Sequence, residues 1–373
     1  MVNLTPRQDQ IRKLIQEGLT QRAIAKKLNL SRGNISGAVL AIKKKYLADQ
    51  ADPGFHVKGK STMYDRRTGE AIIEWVKTSK EIEDLEEVAN DIVKALNPSI
   101  PRIKKTLAPR IQPDDKLFME SFCFGDPHIN MYAWARETGA DWDVDIAVQM
   151  HEEGMLDLIT SSKPAGMGRF IVLGDLLHND SLKPNTASLT PVDVDGRLSM
   201  AIDEVVKLLR SCITAMLIKF SKVEVILARG NHSPTLELLL SKMLRIAFEK
   251  EPRITIIDNT QKHIPLVWGK NFQLITHGDK MNHQRKVDVA VGPFRALHGA
   301  ATFTHVMSGH LHHTDIKEIG GCQSEIFQVL PTQDAWHTES GFVTADQSAV
   351  RIRYHPNGGI CDRHYYNPRF FIN

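Results

Sequence analysis

Five short stretches of this sequence set acidic, carboxamide and imidazole side chains beside a glycine. They are Gly125-Asp126-Pro127-His128, Gly174-Asp175-Leu176-Leu177-His178-Asn179-Asp180, Gly230-Asn231-His232, His277-Gly278-Asp279 and Gly309-His310-Leu311-His312-His313. Carboxylate and carboxamide oxygens combined with imidazole nitrogens suit manganese, iron, zinc or magnesium. Glycine next to a ligand permits the tight turn that brings backbone and ion together. A single histidine in such a place is more often a satisfied polar residue than a ligand. Jointly that reading fails, because six of the sixteen histidines (His128, His178, His232, His277, His310 and His312) take positions of this kind. His56, His151, His263, His298, His305, His355 and His364 lack partner spacing and read as structural or surface residues. His313 and Asp180 read as groups that orient ligands from behind. Lys280 and Arg229 either contact a substrate phosphate or sit at the surface. Trp336-His337 either lines a cleft or joins the core.

Chemistry of this kind needs elements that bring the five stretches together. Each stretch follows an apolar run with strand character: Phe118–Phe124, Phe170–Leu173, Val223–Leu227, Phe272–Ile275 and Phe303–Met307. Helical patterns over Asp143–Ile159, Leu198–Phe220 and Leu236–Phe248 lie between them. Such alternation implies layered α/β structure, and loops at the carboxyl ends of neighbouring strands converge on one site. Ile326–Leu330 and Val350–Tyr354, the latter followed by an Asn357-Gly358 turn, read as strands of a second sheet.

The chain ahead of this pattern has a different character. Residues 1–60 hold 12 Lys/Arg against 4 Asp/Glu, a balance of +8, which leaves −5 for the rest of a chain whose net charge is +3. Any affinity for nucleic acid therefore starts at the N-terminus. Three helices are expected in residues 1–50: one opened by Thr5 and Pro6 with Ile11, Leu14 and Ile15, one capped by Thr20 with Ile24, Ala25 and Leu28, and one capped by Ser31 with Ile35, Ala38, Val39 and Ile42. Residues 51–97 read as a connector: a hairpin of Ser61–Tyr64 and Ala71–Val76 about a turn at Asp65–Gly69, then an acidic helix over Lys80–Leu96. Prolines and basic residues mark 98–116 as a linker, and 117–373 form the large domain.

The composition, 42% hydrophobic and 24% charged, is that of a globular protein. No apolar run approaches membrane-spanning length and no basic-then-apolar leader opens the chain, so a cytoplasmic location is expected and no membrane partner. The four cysteines form no CxxC pair, which excludes a disulfide scaffold or a zinc knuckle.

Three resemblances extend this reading. Residues 4–46 resemble the DNA-binding end of sigma factors and response regulators, a helix-turn-helix. That likeness places Arg32, Asn34 and Ser36 near the start of a recognition helix and Lys43, Lys44 and Lys45 against phosphates. A protein-docking or dimerisation role for the same three helices stays open, as does a homo-oligomer. The ordered motifs of residues 117–320 resemble the calcineurin-like metallophosphoesterases. The string GFHVKGKSTMYDRRTGEAIIEWVK is similar to one that precedes phosphoesterase domains in some tailed-phage proteins, which would place the enzyme in a host cytoplasm.

The metallophosphoesterase resemblance implies a four-layer β-sandwich flanked by helices and two divalent ions, manganese first, with iron, zinc, magnesium, nickel or cobalt as alternatives. Asp126, His128 and His312 would hold one ion, Asn231, His277 and His310 the other, with Asp175 bridging. His232 and His178 would be the catalytic histidines beside the leaving oxygen. His178-Asn179-Asp180 stands where serine/threonine protein phosphatases of this superfamily carry Asp-Arg-Gly, which argues against that activity. Gly-Asp-Leu-Leu-His resembles the SbcCD-type repair nucleases, although Ser233 replaces their acidic residue after Asn-His. The expectation is a metal-dependent phosphodiesterase acting on DNA as an exo- or endonuclease. Its alternatives are a phosphohydrolase for nucleotides or other small phosphates, with the N-terminal module used for assembly, and a DNA-binding regulator with a degraded phosphoesterase fold.

Overall fold

The computed structural model describes residues 5–17, 19–28, 30–31, 34–35, 38–39, 55–64, 71–80, 85–343 and 346–368. The chain divides into two compact units, residues 1–84 and 85–373. Among the described residues no helix is long and apolar enough to cross a membrane.

In the first unit the expected caps form. Helix α1 (Pro6–Gln16) opens with a capping box in which Gln8 N–H donates to the Thr5 hydroxyl and Thr5 N–H donates to the Gln8 side chain. Ahead of α2 (Gln21–Leu28), Ala23 N–H bonds the Thr20 hydroxyl, and Asn34 N–H bonds the Ser31 hydroxyl at 3.2 Å. Ile11, Leu14, Ile24, Ala25 and Ile35 are buried against one another. Asn34 thus sits in the helical turn that Ser31 opens, whereas Arg32, Ser36, Lys43, Lys44 and Lys45 lie outside the described residues. The hairpin is longer than expected: β1 (Phe55–Tyr64) pairs antiparallel with β2 (Ala71–Lys80) from Phe55 opposite Lys80 to Tyr64 opposite Ala71. Its turn lies outside the described residues.

The second unit holds two sheets. One is built from β3 (Met119–Phe124), β4 (Met167–Val172), β5 (Lys222–Leu227), β6 (Ile254–Ile256), β12 (Ala349–His355) and β13 (Gly359–Tyr366), in the order β13-β12-β3-β4-β5-β6. Strands β3 to β6 run parallel; β12 is antiparallel to both β3 and β13. The other comprises β7 (Ile264–Trp268), β8 (Asn271–Ile275), β9 (Phe303–Ser308), β10 (Asp315–Ile319) and β11 (Cys322–Ile326), in the order β10-β11-β9-β8-β7, with β8, β9 and β11 parallel.

Period-two alternation along these strands decides the layers. Phe122, Phe124, Phe170, Val172, Val225 and Leu227 pack on helices α4 (Val144–Ser161), α5 (Leu198–Lys219) and α6 (Pro234–Ala247), through residues such as Leu158, Leu209, Ile213 and Leu244. Their alternates Met119, Cys123, Ile171, Leu173 and Ile226 face Ile264, Ile275 and Met307 of the second sheet. Phe272, Leu274 and Val306 cover the far side against Val287 and Ala290 of α7 (His283–Val291). The result is the expected four-layer α/β sandwich.

Four segments depart from the sequence reading. Val350–Tyr354, read as part of a second sheet, lies within β12 of the first, paired antiparallel with β3. Helix α3 (Leu85–Leu96) starts later than the expected Lys80 and packs on α6, so the division between units falls at 84/85, inside the segment read as a connector. The irregular stretch 98–116 is strapped down: Ile103 N–H donates to the Ala247 carbonyl at 2.8 Å, Thr106 N–H to Glu251 at 2.7 Å and Arg102 to Glu249 at 2.9 Å. The strand expected at Ile326–Leu330 lies a few residues earlier, as β11. Phe327, Val329 and Leu330 are buried without belonging to a strand, held by Phe327 N–H to the Ser308 carbonyl and Ser348 N–H to the Val329 carbonyl.

The strands also carry buried ion pairs. Glu120 accepts from Arg351 at 2.7 Å and Arg353 at 2.5 Å. Glu325 accepts from His305 at 2.8 Å and from Arg363 at 2.6 and 2.7 Å. Burial alone would raise the Glu325 carboxyl, but Arg363 and His305 hold it down at about 2.

Candidate metal centre

Strands β3, β4, β5, β8 and β9 each run directly into one of the five motifs, and their parallel directions within each sheet bring the motif loops to one edge. Tight turns follow. His128 (φ 43°), Asp175 (φ 49°), His310 (φ 77°) and His312 (φ 54°) all adopt the left-handed backbone region, which only a few per cent of non-glycine residues occupy and which Asp, Asn and His tolerate best. Such strain persists where the surroundings enforce it, and it concentrates at functional sites. The neighbouring glycines are steric necessities: a Cβ at Gly230 would collide with the Asp175 carboxylate, and one at Gly309 with that of Asp126.

The side chains these turns project converge in three groups whose ligand atoms lie within 4.8 Å of one another: Asp126, His128 and His312; Asp175, His277 and His310; and His128, His178 and His232. Asn231 joins the second group, its Oδ1 2.9 Å from His277 Nε2, which is also 3.1 Å from Asp175 Oδ2. His312 Nε2 lies 3.2 Å from Asp126 Oδ2 and 3.1 Å from His128 Nε2. Backbone bonds tie the groups together: His310 N–H donates to Asp126 Oδ2 and His232 N–H to Asp175 Oδ1, both at 2.7 Å. All seven residues expected as ligands, and both expected catalytic histidines, therefore meet at one place.

Hydrogen-bond partners fix the ring tautomers. His277 Nδ1 faces the Leu173 carbonyl at 3.0 Å and donates to it, so Nε2, facing Asp175 and Asn231, is the atom that takes either a proton or a metal ion. His232 Nδ1 likewise donates to the His178 carbonyl at 2.9 Å, leaving its Nε2 to exchange a proton. His178 Nδ1 lies 3.1 Å from His128 Nδ1, and its Nε2 is buried without a partner.

The donor set fits divalent cations. Lone pairs of imidazoles, carboxylates and a carboxamide point at each other, and Asp126 Oδ1 is buried without a hydrogen-bond partner. Among the described residues Asp126 and Asp175 form ion pairs only with imidazoles. Burial and the neighbouring histidines push His128 well below its ordinary pKa, while burial, His232 and other rings hold His178 at about 3. Burial opposes a charge on His277, yet Asp175 and Asp126 lift it to about 10, so in this arrangement a proton stands where a metal's charge would be.

Two groups that sequence reading passed over brace the site. Glu237, wholly buried, accepts Leu176 N–H at 2.8 Å and Gly230 N–H at 2.6 Å, clamping the second motif to the third. Burial and then Asp175 raise its carboxyl to about 8. An acid in the first turn of the helix after Asn231-His232 is the sequence signal for it. Buried Lys286 donates to the Ser308 hydroxyl at 2.7 Å, and burial lowers it to about 8. Asp180 accepts the N–H groups of Thr235 and Leu236 and so caps α6. Arg229 donates to the Thr260 carbonyl, and Lys280 and His313 are exposed.

The metal-capable groups form one wall of a cleft of about 1100 Å³. Thr186–Asp193 and residues 328–337 form other walls, together with Phe342 and Tyr365. Trp336 and His337 of α8 (Ala335–Glu339) thus line the cleft, and the His337 ring stacks on that of His312 at 5.0 Å.

The fold is the layered α/β sandwich expected from the sequence, with the metal-capable residues gathered at one edge of its strands. Among solved structures the chain is similar to an archaeal phosphodiesterase (11% identity over 67% of this chain and 99% of that one, TM-score 0.35). It is also similar to a dimetal phosphatase from Danio rerio (8% identity, 67% and 98%, TM-score 0.36). A third is Vps29 from Entamoeba histolytica, complexed with zinc (12% identity, 67% and 99%, TM-score 0.28). No protein-family model and no curated protein matches the sequence.

Proposed function

We propose that this protein is a metal-dependent phosphodiesterase that hydrolyses its substrate directly, without a covalent enzyme intermediate. The observation that carries the reading is the meeting of Asp126, His128 and His312 with Asp175, Asn231, His277 and His310 around buried, unpaired lone pairs. Two divalent ions bound there would activate a water and neutralise charge on the phosphoryl oxygens. The chain's own residues do the rest. Asp175, anchored by the His232 N–H at one carboxylate oxygen and 3.1 Å from His277 Nε2 at the other, would take the bridging role. His277 and His232 are held in single tautomers by carbonyl oxygens, so neither ring has to reorient during turnover. His232 Nε2, on the cleft side of a ring whose Nδ1 is committed, protonates the leaving oxygen; general acids of this kind contribute about 10²–10⁴-fold.

For the substrate, the cleft favours a small diester over the DNA strand expected from the N-terminal module. Among the described residues no lysine or arginine lines it, whereas Asp193, Asp334 and Asp346 do. Strands are gripped through basic contacts to successive phosphates. The basic N-terminal unit then serves assembly, or binds DNA separately from the reaction.

The test is hydrolysis of bis-p-nitrophenyl phosphate by the full chain with Mn²⁺, beside Asp175→Asn and beside labelled single- and double-stranded DNA. Metal-dependent hydrolysis that Asp175→Asn abolishes supports the reading, and retained activity in that variant sinks it. Cleavage of DNA in preference to the small ester returns the strand as substrate.

A further inference from the structure

The cleft contains a feature that hydrolysis alone does not use. Trp336 and Phe342 stack on each other with ring centroids 5.9 Å apart and planes at 29°, yet Trp336 is 61% and Phe342 59% exposed. Large aromatic side chains normally bury their faces, and an exposed pair in a concave site is a platform awaiting a flat partner. Its position is fixed relative to the metal-capable groups. The Trp336 ring meets His337 edge-on at 5.0 Å, and His337 stacks on His312 at 5.0 Å, so two ring-to-ring steps join the platform to a ligand of the centre. Asp334, in the turn before Trp336, accepts His337 N–H at 2.8 Å and the His337 ring at 2.6 Å, which holds this segment in place. A phosphorus atom at the metal-capable groups would thus place an ester substituent of one-nucleoside length against the aromatic pair.

Resting on the phosphodiesterase reading above, we propose that Trp336 and Phe342 form a stacking subsite for the nucleobase of a single-nucleotide phosphodiester. Charge supports a neutral, flat occupant. The acids among the cleft residues repel further phosphates, and among the described residues the cleft offers no cation to bind them. A base needs neither, because every nucleobase has a π-face to offer. The size of the cleft, about 1100 Å³, far exceeds what a lone phosphate fills.

The experiment compares two esters with the same p-nitrophenolate leaving group, thymidine 5′-(p-nitrophenyl) phosphate and methyl p-nitrophenyl phosphate, on the full chain with Mn²⁺. The wild type is expected to prefer the thymidine ester in kcat/KM. Trp336→Ala should shrink that preference about tenfold, mainly through KM, as loss of a base-stacking ring does elsewhere. Trp336→Phe, which keeps a flat ring, should retain most of it. An unchanged preference in both Trp336→Ala and Phe342→Ala overturns the subsite and leaves the pair to a protein partner. Preference for a single-stranded oligonucleotide over the thymidine ester overturns the one-nucleotide size. If the wild type hydrolyses neither ester, the phosphodiesterase reading fails by itself, and calorimetric titration with adenosine 5′-monophosphate then decides the subsite. Binding that weakens in Trp336→Ala supports the subsite; equal affinity, or none in the wild type, removes it.

Discussion

Two regions of this molecule bury acids and histidines together, and they solve the electrostatic problem in opposite ways. Within the sheets, Glu120 lies between Arg351 and Arg353, and Glu325 between Arg363 and His305. Every negative charge there has a cation of the chain's own. At the strand ends Asp126 and Asp175 are as deeply buried, yet among the described residues their only ion-pair partners are imidazoles, and backbone N–H groups are their other partners. A buried ionic group is stable only when compensated. The first region carries its compensation in the sequence, and the second is shaped to take it from solution. The contrast teaches that the absence of arginine, as much as the presence of histidine, marks a metal centre.

Substitutions can break that contrast from either side. Asp175→Asn in the centre should reduce turnover by about 10³-fold or more, since it removes charge that acts only with bound metal, and metal analysis of the purified variant should show depleted occupancy. Within the sheets the loss appears in stability instead. Glu120→Gln removes the buried charge shared by Arg351 and Arg353, leaving Arg351 with Asp362 alone and Arg353 without a carboxylate among the described residues, and should cost about 3–5 kcal/mol in urea unfolding. Acid should separate the regions next. Glu325 is held at about 2 when folded against an ordinary 4.5, so its contribution is complete above pH 4.5 and disappears as pH falls towards 2. About 3 kcal/mol goes with it, and Glu325→Gln should flatten the stability profile over that window, as read by denaturant titrations at stepped pH. The smallest effect sharpens the comparison at its border. Glu237→Gln leaves every metal-capable residue in place but sets an amide N–H against the Leu176 or Gly230 N–H. Its metal affinity should fall about 10–100-fold by competition with a chelating dye, with little change in Tm.

The parts of this design that were legible from sequence are those written in period two and in residue type. Phe122, Phe124 and Phe170 alternate with Cys123 and Ile171, so strands and layers followed, and each strand handed its carboxyl end to a metal-capable motif. Residues 326–330 show why apolar runs mislead. Only Ile326 ends in a strand; Phe327 and Leu330 pack into the core and Val329 backs the cleft, and burial outside a strand leaves no periodic mark. Strand β10 escaped notice for the opposite reason, since three of its five residues are exposed and polar alternation is absent at a sheet edge. Glu237 and Lys286 act through contacts remote in sequence, Leu176 for one and Ser308 for the other; the first-turn acid is the one local mark of Glu237, and Lys286 leaves none. Trp336 read more readily as core than as cleft, because hydrophobicity does not distinguish an aromatic that binds from one that packs.

The left-handed turns at His128, Asp175, His310 and His312 also constrain how this protein can change over generations. A lineage that lost its metals would be released from selection for those ligands but not from the geometry of the turns. Replacement by valine, isoleucine or threonine would unfold the loop, while glycine and asparagine would enter without strain. Decay of activity would therefore leave a fossil: asparagine and glycine accumulating at these four sites on an otherwise intact sandwich.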